Sequence, residues 1–382
     1  MFRDRKPHRC SRRQALAGGS AVVLSSLARP AFAGATEELP DLKELAAKKG
    51  VIFGTAMAQS ELDDADLSGL IARQAGLLVS QSDHKLIRIA EHGPDEHNYE
   101  RAERMMRFAE SQKIAVRGHA LIMSGETGVS PWMERVLPDQ GAAPLEDYIR
   151  RTCKHFAGRL ESWDVVNEAI ERGPDLPTGY RESVFYRCLG PEFIRRAFEV
   201  SEEADPHSLK FYSDSFTFRN RSLEWHRVRR ETMVALLEDL KAAGTPLDGL
   251  ALHGHLSTDG FNIEEEAALI RDVGSIGLQV YISELDVNDT NFVGSVDERD
   301  AAVATVYKDY LDMALSFPHV TGVLTWGLSD RGSWIRRKWE RSDASPQRPL
   351  PFADDLTAKP AFWAMVDAFE NTSARPQWRG RG

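Results

Sequence analysis

The feature that most constrains the fold is a regular alternation of short apolar segments with longer amphipathic ones. Eight short segments are rich in β-branched residues, and several are continuously apolar, as in parallel strands buried on both faces. They are Val51–Met57, Leu77–Ser82, Ala115–Ile122, Ser162–Glu168, Lys210–Ser215, Leu250–Leu256, Leu278–Val287 and Gly322–Leu328. Helical periodicity is found between them, at Tyr99–Gln112, Leu145–Gly158, Glu192–Ala204, Leu223–Ala243, Ile263–Val273 and Glu298–Ser316, and a last helix opens at Lys359-Pro360.

Eight strand–helix units over roughly 300 residues predict an α/β fold, a (β/α)8 TIM barrel in a single domain. A doubly wound open sheet is the competing fold, but it normally has fewer strands and a glycine-rich phosphate turn. No Gly-x-Gly-x-x-Gly sequence follows the first predicted strand. We place the barrel at residues 34–376 and a disordered tail at 377–382.

The first 33 residues have the layout of a cleaved export signal. Six basic side chains lie within the first 13 residues, an apolar run follows from Ala15 to Leu27, and Ala31-Phe32-Ala33 has a small-x-small cleavage pattern. Ser11-Arg12-Arg13-Gln14-Ala15-Leu16 fits a twin-arginine signal, and the apolar run is short for a membrane anchor. We therefore expect a bacterial protein exported to the periplasm or beyond, with residues 1–33 removed.

Net charge limits the partners of this chain. The signal segment carries seven basic side chains and one acidic one, so its removal changes the net charge from −10 to −16. Such a chain lacks the basic surface with which proteins bind nucleic acids or anionic membranes. A neutral substrate fits better, and we expect a monomer that leaves the membrane once the signal is cleaved.

The cysteines give little support to a metal or disulfide scaffold. Once Cys10 leaves with the signal, only Cys153 and Cys188 remain. Two cysteines cannot form a structural zinc site, and a domain of this size needs no disulfide. Twin-arginine substrates usually fold before export, in a reducing compartment, which favours two free, buried thiols and leaves their pairing open.

Polar side chains cluster where the predicted strands end, and in a TIM barrel these ends form the mouth that carries the active site. They are Arg117 and His119 on strand three, Asn167 and Glu168 on strand four, Asp214 on strand five, His253 and His255 on strand six, Glu284 and Asp286 on strand seven, and Trp326 and Trp334 on and after strand eight. Carboxylates at a barrel mouth are costly to bury unless their charge is used. Aromatic rings beside them suit the apolar faces of sugars.

Glu168 and Glu284 face each other across that mouth, because strands four and seven of an eight-stranded barrel are roughly opposite. Retaining glycosidases use such a pair at a separation of about 5–5.5 Å. One carboxyl group arrives protonated and assists the leaving oxygen, while the other is ionised and attacks the anomeric carbon. The two residues therefore predict glycoside hydrolysis.

The segments around these residues resemble glycoside hydrolase family 10, the barrel-fold endo-1,4-β-xylanases. Trp163-Asp164-Val165-Val166-Asn167-Glu168-Ala169 resembles the acid/base motif of that family, and Ile282-Ser283-Glu284-Leu285-Asp286-Val287 resembles its nucleophile motif. Other similar segments follow in the family's order, namely Phe53-Gly54-Thr55-Ala56, Val116-Arg117-Gly118-His119, Asp248-Gly249 through His255-Leu256, Thr325-Trp326-Gly327 with Ser333-Trp334, and Lys359-Pro360-Ala361-Phe362. The resemblance implies an endo-1,4-β-xylanase that acts on xylan-like polysaccharides or oligosaccharides without a cofactor or metal.

The resemblance also implies roles for the reacting groups. Glu168 would be the general acid and then the base, and Glu284 would be the nucleophile of a double displacement. His255, supported by Asp286, would hold Glu284 in place and ionised.

Five further positions would bind the substrate. Asn167 would donate to the 2-hydroxyl of the sugar that becomes covalently attached, and His119 would contact the same sugar. Trp326 and Trp334 would form part of the sugar platform. Lys85 would reach the next sugar on the non-reducing side.

Several positions depart from the family pattern, and all of them touch the subsites on the non-reducing side. The differing residues are Gln81, Ser82 and Leu86 after strand two, Met123 and Ser124 after strand three, Ser213 and Ser215 on strand five, and His253 where the family has Gln. Each lost hydrogen bond is worth roughly 0.5–1.5 kcal/mol, so affinity or sugar preference changes while the catalytic pair stays intact.

Three alternatives to a xylanase follow from these residues. The departures leave room for a retaining β-glycosidase of the same barrel family with altered specificity, or for a barrel that binds glycans without cutting them. The pair His253 and His255 could hold the metal of an amidohydrolase if His119 and Asp286 supplied further ligands. That metal enzyme is the least favoured, because the surrounding motif already assigns His255.

Other polar residues at these positions have structural interpretations. Trp163 is expected in the core, and Asp164 in an ion pair rather than in chemistry. Ser213, Asp214 and Ser215 could equally form a solvated loop. The run Glu264-Glu265-Glu266 is expected to be a solvated helix start, which the helix dipole favours.

Overall fold

The computed structural model of this chain describes residues 39–125, 128–170, 179–216 and 222–376. The predicted export signal at 1–33 and the predicted tail at 377–382 therefore lie outside the described residues. Within the described ranges, no helix is both long enough and apolar enough to cross a membrane.

Eight parallel strands close into a barrel, in which each strand pairs with the next along the chain and the last pairs with the first. They are β1 Ile52–Met57, β2 Leu77–Ser80, β3 Ala115–Met123, β4 Ser162–Asn167, β5 Leu209–Ser215, β6 Gly249–Ser257, β7 Gln279–Asn288 and β8 Val320–Thr325. The predicted (β/α)8 barrel is confirmed. The prediction extended β8 to Leu328, but the strand ends at Thr325, just before Gly327, whose φ of 112° breaks the extended conformation.

Helices follow the strands on the outside of the barrel. They are α1 Leu42–Ala47, α2 Gln59–Leu62, α3 Ala65–Gln74, α4 Leu86–Ile89, α5 Glu100–Gln112, α6 Pro131–Gln140, α7 Ala143–Phe156, α8 Val184–Leu189, α9 Glu192–Ala204, α10 Leu223–Ala242, α11 Ile263–Ser275, α12 Val296–Ala314, α13 Ile335–Lys338 and α14 Pro360–Asn371. Each predicted helix is present. The sequence interpretation named helices as examples only and did not name α3 or α6, which carry an internal Gly69 and an internal Pro138 and so have weak helical signals.

The barrel interior is filled by side chains from most of the strands, as is usual in this fold. A buried apolar cluster contains Ala56, Leu77, Val79, Leu209, Phe211, Ala251, Tyr281, Leu324 and Trp326. Arg117 crosses this interior with its guanidinium carbon 4.3 Å from the ring centre of Phe211, and it pairs with buried Asp164. This ion pair is the structural role expected for Asp164, and it offsets part of the free-energy cost of burying the charge.

Glu266 does not lie on a solvated helix start. It is the fourth residue of α11, where its side chain turns inward and is fully buried, and Tyr310 Oη donates to its Oε1 at 2.9 Å. Burial raises the pKa of Glu266 to about 8, although the hydrogen bond from Tyr310 acts in the lowering direction. The prediction of a solvated run was wrong here because one face of an amphipathic helix must pack on the barrel.

This buried acid leads to a prediction about stability. Between about pH 4.5 and pH 8, the folded protein keeps a proton on Glu266 that the unfolded chain releases, so the stabilising contribution of this group is complete at low pH and is lost as the pH rises towards 8. The unfolding free energy of Glu266→Gln, relative to that of wild type, should therefore rise by about 1.4 kcal/mol per pH unit across that window. Urea unfolding at pH 5 and pH 7.5 measures this difference. Exposed Glu264→Gln is the control, and an E266Q difference that does not change with pH would contradict the assignment.

Candidate active site

Glu168 and Glu284 share an uncommon backbone conformation. Each has a φ of 55°, in the left-handed region that residues other than glycine seldom adopt. Glu168 directly follows β4, and Glu284 lies where the pairing of β7 with β8 shifts register, between Ile282 and Leu285. Backbone outliers of this kind concentrate at functional sites, where the surrounding structure holds them.

Three histidines surround the carboxylate of Glu284. Its Oε2 lies 3.0 Å from Nε2 of His255, and its Oε1 lies 3.2 Å from Nε2 of His253 and 3.7 Å from Nε2 of His119. Burial by itself raises the pKa of Glu284, but His253, His255 and His119 outweigh it and bring the pKa well below its ordinary value. Glu284 is therefore ionised at neutral pH.

His255 connects Glu284 to a second carboxylate. Its Nδ1 lies 2.9 Å from Oδ1 of Asp286, whose Oδ2 accepts a hydrogen bond from Trp334 Nε1 at 2.7 Å. Burial lowers the pKa of His255, but Asp286 and Glu284 together raise it to about 10. The ring is therefore an imidazolium that donates to both acids, which fixes the orientation of the Glu284 carboxylate. These are the contacts that the sequence interpretation expected for His255 and Asp286.

His119 is held in a similar way by the other motif. Its Nδ1 lies 2.9 Å from Oδ2 of Asp164, the same carboxylate that pairs with Arg117. This contact directs Nε2 of His119 towards Glu284. The ring of His119 also meets Trp326 edge to face, with the ring centres 5.3 Å apart.

Three of the departures from the family pattern, His253, Ser213 and Met123, lie around Asn167. Nε2 of His253 lies 2.9 Å from Ser213 Oγ and 3.1 Å from Asn167 Oδ1, and Asn167 Nδ2 points at Met123 Sδ at 2.8 Å. Both ends of the Asn167 amide are thus engaged by residues that differ from the family. His253 also contacts Glu284, so the acid/base motif and the nucleophile motif meet at this ring.

Asp214 is not part of a solvated loop, and neither are its two neighbours. All three residues from Ser213 to Ser215 lie on β5 and are buried. Asp214 Oδ1 pairs with Arg229 Nη2 at 2.7 Å, and its Oδ2 accepts from Tyr212 Oη at 2.6 Å. That alternative was wrong because β5 continues to Ser215 and Arg229, 15 residues later on α10, returns to neutralise the charge.

An open, partly aromatic pocket adjoins this centre. It has a volume of about 360 Å³, and its walls include His255, Asp286, Asp259, Trp334 and Trp339. The indole ring of Trp334 lies 4.9 Å from the His255 ring, centre to centre, and is only partly buried. Aromatic faces beside hydrogen-bonding groups are typical of sugar subsites.

Lys85 lies directly before α4, and its side chain is partly buried. Burial lowers the pKa of Lys85, and the charges of Glu284 and Glu168 oppose that effect. Lys85 is therefore within electrostatic reach of both acids. The neighbouring Leu86 is buried, so this position lacks the aromatic ring that Trp provides in the family.

The sequence interpretation missed Arg181. Its Nη2 lies 3.2 Å from Oε2 of Glu168, and its Nε donates to the backbone oxygen of the same residue at 2.9 Å. Arg181 follows Glu168 by 13 residues in the sequence, and no periodic pattern relates two positions separated in this way. A basic residue close after the acid/base motif was the only clue in the sequence.

The two expected free thiols are unpaired, but only one of them is buried. Cys153 is buried in α7, whereas Cys188, near the end of α8, is partly exposed. The expectation that both would be buried was wrong for Cys188. Burial raises the pKa of the Cys153 thiol above its ordinary value.

Among the described residues, one group of side chains has the proximity that a metal ion needs. Ligand atoms of His253, His255 and Glu284 lie within 4.8 Å of one another. A metal binds the neutral form of a histidine nitrogen, however, and Nε2 of His255 carries a proton up to about pH 10 because of its two carboxylate partners. A metal ion there would have to displace this proton.

Comparison of the chain with models of known protein families identifies the family of this protein. The model described as glycosyl hydrolase family 10 matches residues 41–368, which is most of the chain. The chain belongs to glycosyl hydrolase family 10. The amidohydrolase alternative is thereby excluded, and the resemblance seen in the motifs is confirmed.

Individual proteins named as xylanases resemble this chain over most of its length. Endo-1,4-beta-xylanase B of Thermotoga neapolitana is 28% identical over 342 residues, covering 88% of this chain and 93% of that protein. Endo-1,4-beta-xylanase A of Thermoanaerobacterium saccharolyticum is 29% identical over 86% of this chain, but the chain spans only 28% of that longer protein. The crystal structure of xylanase 10B from Thermotoga petrophila RKU-1 in complex with xylobiose superposes with a TM-score of 0.77 at 27% identity, covering 88% of this chain and 99% of that one.

Proposed function

We propose that this family 10 protein is an endo-1,4-β-xylanase that hydrolyses internal bonds of xylan with retention of anomeric configuration. The observation that carries the proposal is the His255 imidazolium, which lies between Asp286 and Glu284 and keeps Glu284 ionised as a nucleophile must be. The relatives that span this chain are themselves named as xylanases.

In the first step of the proposed reaction, the Glu284 carboxylate forms a bond to the anomeric carbon. The glycosidic bond breaks as Glu168 gives its proton to the leaving oxygen. In the second step, Glu168 takes a proton from water, and the resulting hydroxide equivalent displaces Glu284 from the sugar. The two inversions restore the original configuration, and no cofactor or metal takes part.

The substrate-binding roles proposed for the remaining residues fit their positions at this mouth. His119 lies beside Glu284, and Asn167 contacts His253, which itself contacts Glu284, so both lie near the position of the reacting sugar. Trp326 and Trp334 border His119 and His255, and they would pack against sugar rings. Lys85 would hold the adjacent sugar through its ammonium group.

Product analysis tests the proposed function. Incubation with xylan and with xylo-oligosaccharides should give short xylo-oligosaccharides of intermediate length, and NMR of the first products should show the β anomer before it equilibrates. The matched preparation of Glu284→Gln controls for contaminating activity. Unchanged chain lengths would contradict hydrolysis and favour a glycan-binding barrel, and release of single terminal units alone would contradict endo action.

A second candidate is a retaining β-glycosidase with a different sugar preference. The contact between Asn167 Nδ2 and Met123 Sδ favours it, because the donor expected to meet a 2-hydroxyl is engaged by a thioether, next to the equally altered His253. A panel of aryl glycosides and β-1,4-glycans separates the two candidates. A xylanase should have its highest kcat/KM on xylo-configured substrates.

We also propose that the protein is exported through the twin-arginine route and acts in the periplasm or outside the cell as a monomer, as one barrel domain over residues 34–376. The support is the basic, apolar and small-x-small layout of the first 33 residues. Replacing both Arg12 and Arg13 by Lys should leave the full-length precursor in the cytoplasm. N-terminal sequencing of the exported wild type should begin at Gly34.

A further inference from the structure

We propose that Arg181 is a positioning residue that sets the pH at which Glu168 loses its proton, and thereby the alkaline limit of the reaction. This inference rests on the proposed role of Glu168 as general acid and then base. It starts from the ion pair between Arg181 Nη2 and Glu168 Oε2, at 3.2 Å.

The position of Arg181 is fixed by the main chain as well as by the ion pair. Its backbone N–H donates to the oxygen of Ala169 at 2.8 Å, and Ile170 and Tyr180 form an antiparallel bridge beside it. Its Nε also donates to the backbone oxygen of Glu168 at 2.9 Å. The guanidinium group therefore contacts both the main chain and the side chain of Glu168. The side chain of Arg181 is only 18% exposed and that of Glu168 only 12%.

The chemistry of the two steps makes this contact consequential. Glu168 must be protonated in the first step and ionised in the second. An adjacent cation favours the ionised form of a carboxyl group and typically lowers its pKa by about 1–3 units. Arg181 therefore assists the base step and narrows the pH range in which the acid step can occur.

Other charged groups also face Glu168 from neighbouring strands. Lys85 after β2 and His253 on β6 both interact electrostatically with Glu168, and His253 in turn contacts Glu284 on β7. On β5, Asp214 is already paired with Arg229. Arg181 contacts the Glu168 carboxylate directly, at 3.2 Å, so its removal should shift the pH at which Glu168 loses its proton.

The test is the pH dependence of kcat/KM in wild type, Arg181→Gln and Arg181→Lys, with Arg187→Gln as control. Arg187 lies close by on α8, and its Nη1 donates to the backbone oxygen of Glu182. On xylo-oligosaccharides, the alkaline limb of R181Q should move up by about 1 pH unit, so that above the wild-type limb its relative kcat/KM is about tenfold higher. The limbs of R181K and R187Q should stay at the wild-type position.

A second substrate separates this effect from a merely structural role. An activated dinitrophenyl xyloside needs no proton on its leaving group, so its alkaline limb should not follow that of the oligosaccharide in R181Q. If R181Q fails to fold, Arg181→Met takes its place. An R181Q limb that coincides with wild type overturns the inference, whereas absence of hydrolysis by wild type overturns the proposed function instead.

Discussion

Replacing Glu284 by Gln is expected to lower kcat on xylo-oligosaccharides by a factor of at least about 10³, with the fold intact. The amide has nearly the shape of the carboxylate but cannot form the covalent bond to the anomeric carbon. The variant should also lose the charge that raises the pKa of His255. Steady-state kinetics and circular dichroism measure activity and fold, and Glu203→Gln, an exposed glutamate on α9, is the matched control.

A chemical label identifies the nucleophile independently. A 2-fluoro xyloside with a good leaving group should inactivate the wild type in a time-dependent manner and leave its sugar on one residue. Mass spectrometry of the digested protein should find that sugar on the peptide containing Glu284. A label on any other side chain would show that the nucleophile has been wrongly assigned.

Replacing Glu168 by Ala has the second largest expected effect, and that effect depends on the leaving group. On xylo-oligosaccharides, whose leaving oxygen needs a proton, kcat/KM should fall by about 10²- to 10⁴-fold. On an activated dinitrophenyl xyloside it should fall far less, because that leaving group departs without one. In the second step the missing base should slow hydrolysis of the covalent intermediate, and azide should restore turnover by attacking it directly.

The ratio of these losses is the measurement that decides the role. Equal losses on the two substrates would count against Glu168 as the general acid. Glu203→Ala should change neither rate, since its side chain is exposed and far along the chain from the barrel mouth. Identification of a β-glycosyl azide by NMR would support both the acid/base role and retention.

Most of the barrel could be predicted from local patterns. Strands buried on both faces are recognisable as short apolar runs, and the helices between them show a 3.6-residue period, so all eight strands and the main helices were found. The differences between prediction and structure arose where the preference of the local sequence opposed the conformation that the folded chain adopts. Gly69 and Pro138 weakened the helical signals of α3 and α6, which were not named, and β8 ended before its predicted limit.

The candidate site was predicted in part. The motifs named Glu168 and Glu284, and the expected relay from Glu284 through His255 to Asp286 is present as contacts in the structure, although its role in catalysis stays a prediction. Two features were not predictable from spacing. Asp214 pairs with Arg229, which lies 15 residues later, and Glu168 pairs with Arg181, which lies 13 residues later. No helix or strand periodicity relates positions separated in this way.

The sequence by itself determined the fold and the order of the motifs, because periodicity and motif identity are properties of neighbouring residues. Only the tertiary structure decided which groups face Glu284 and Glu168. Closing the barrel brings the ends of β3, β6 and β7 together, so that three histidines converge on one carboxylate while an arginine reaches the other. The electrostatic field at each acid is a sum over groups that are distant in the chain, and no local sequence pattern specifies the distances across a closed barrel.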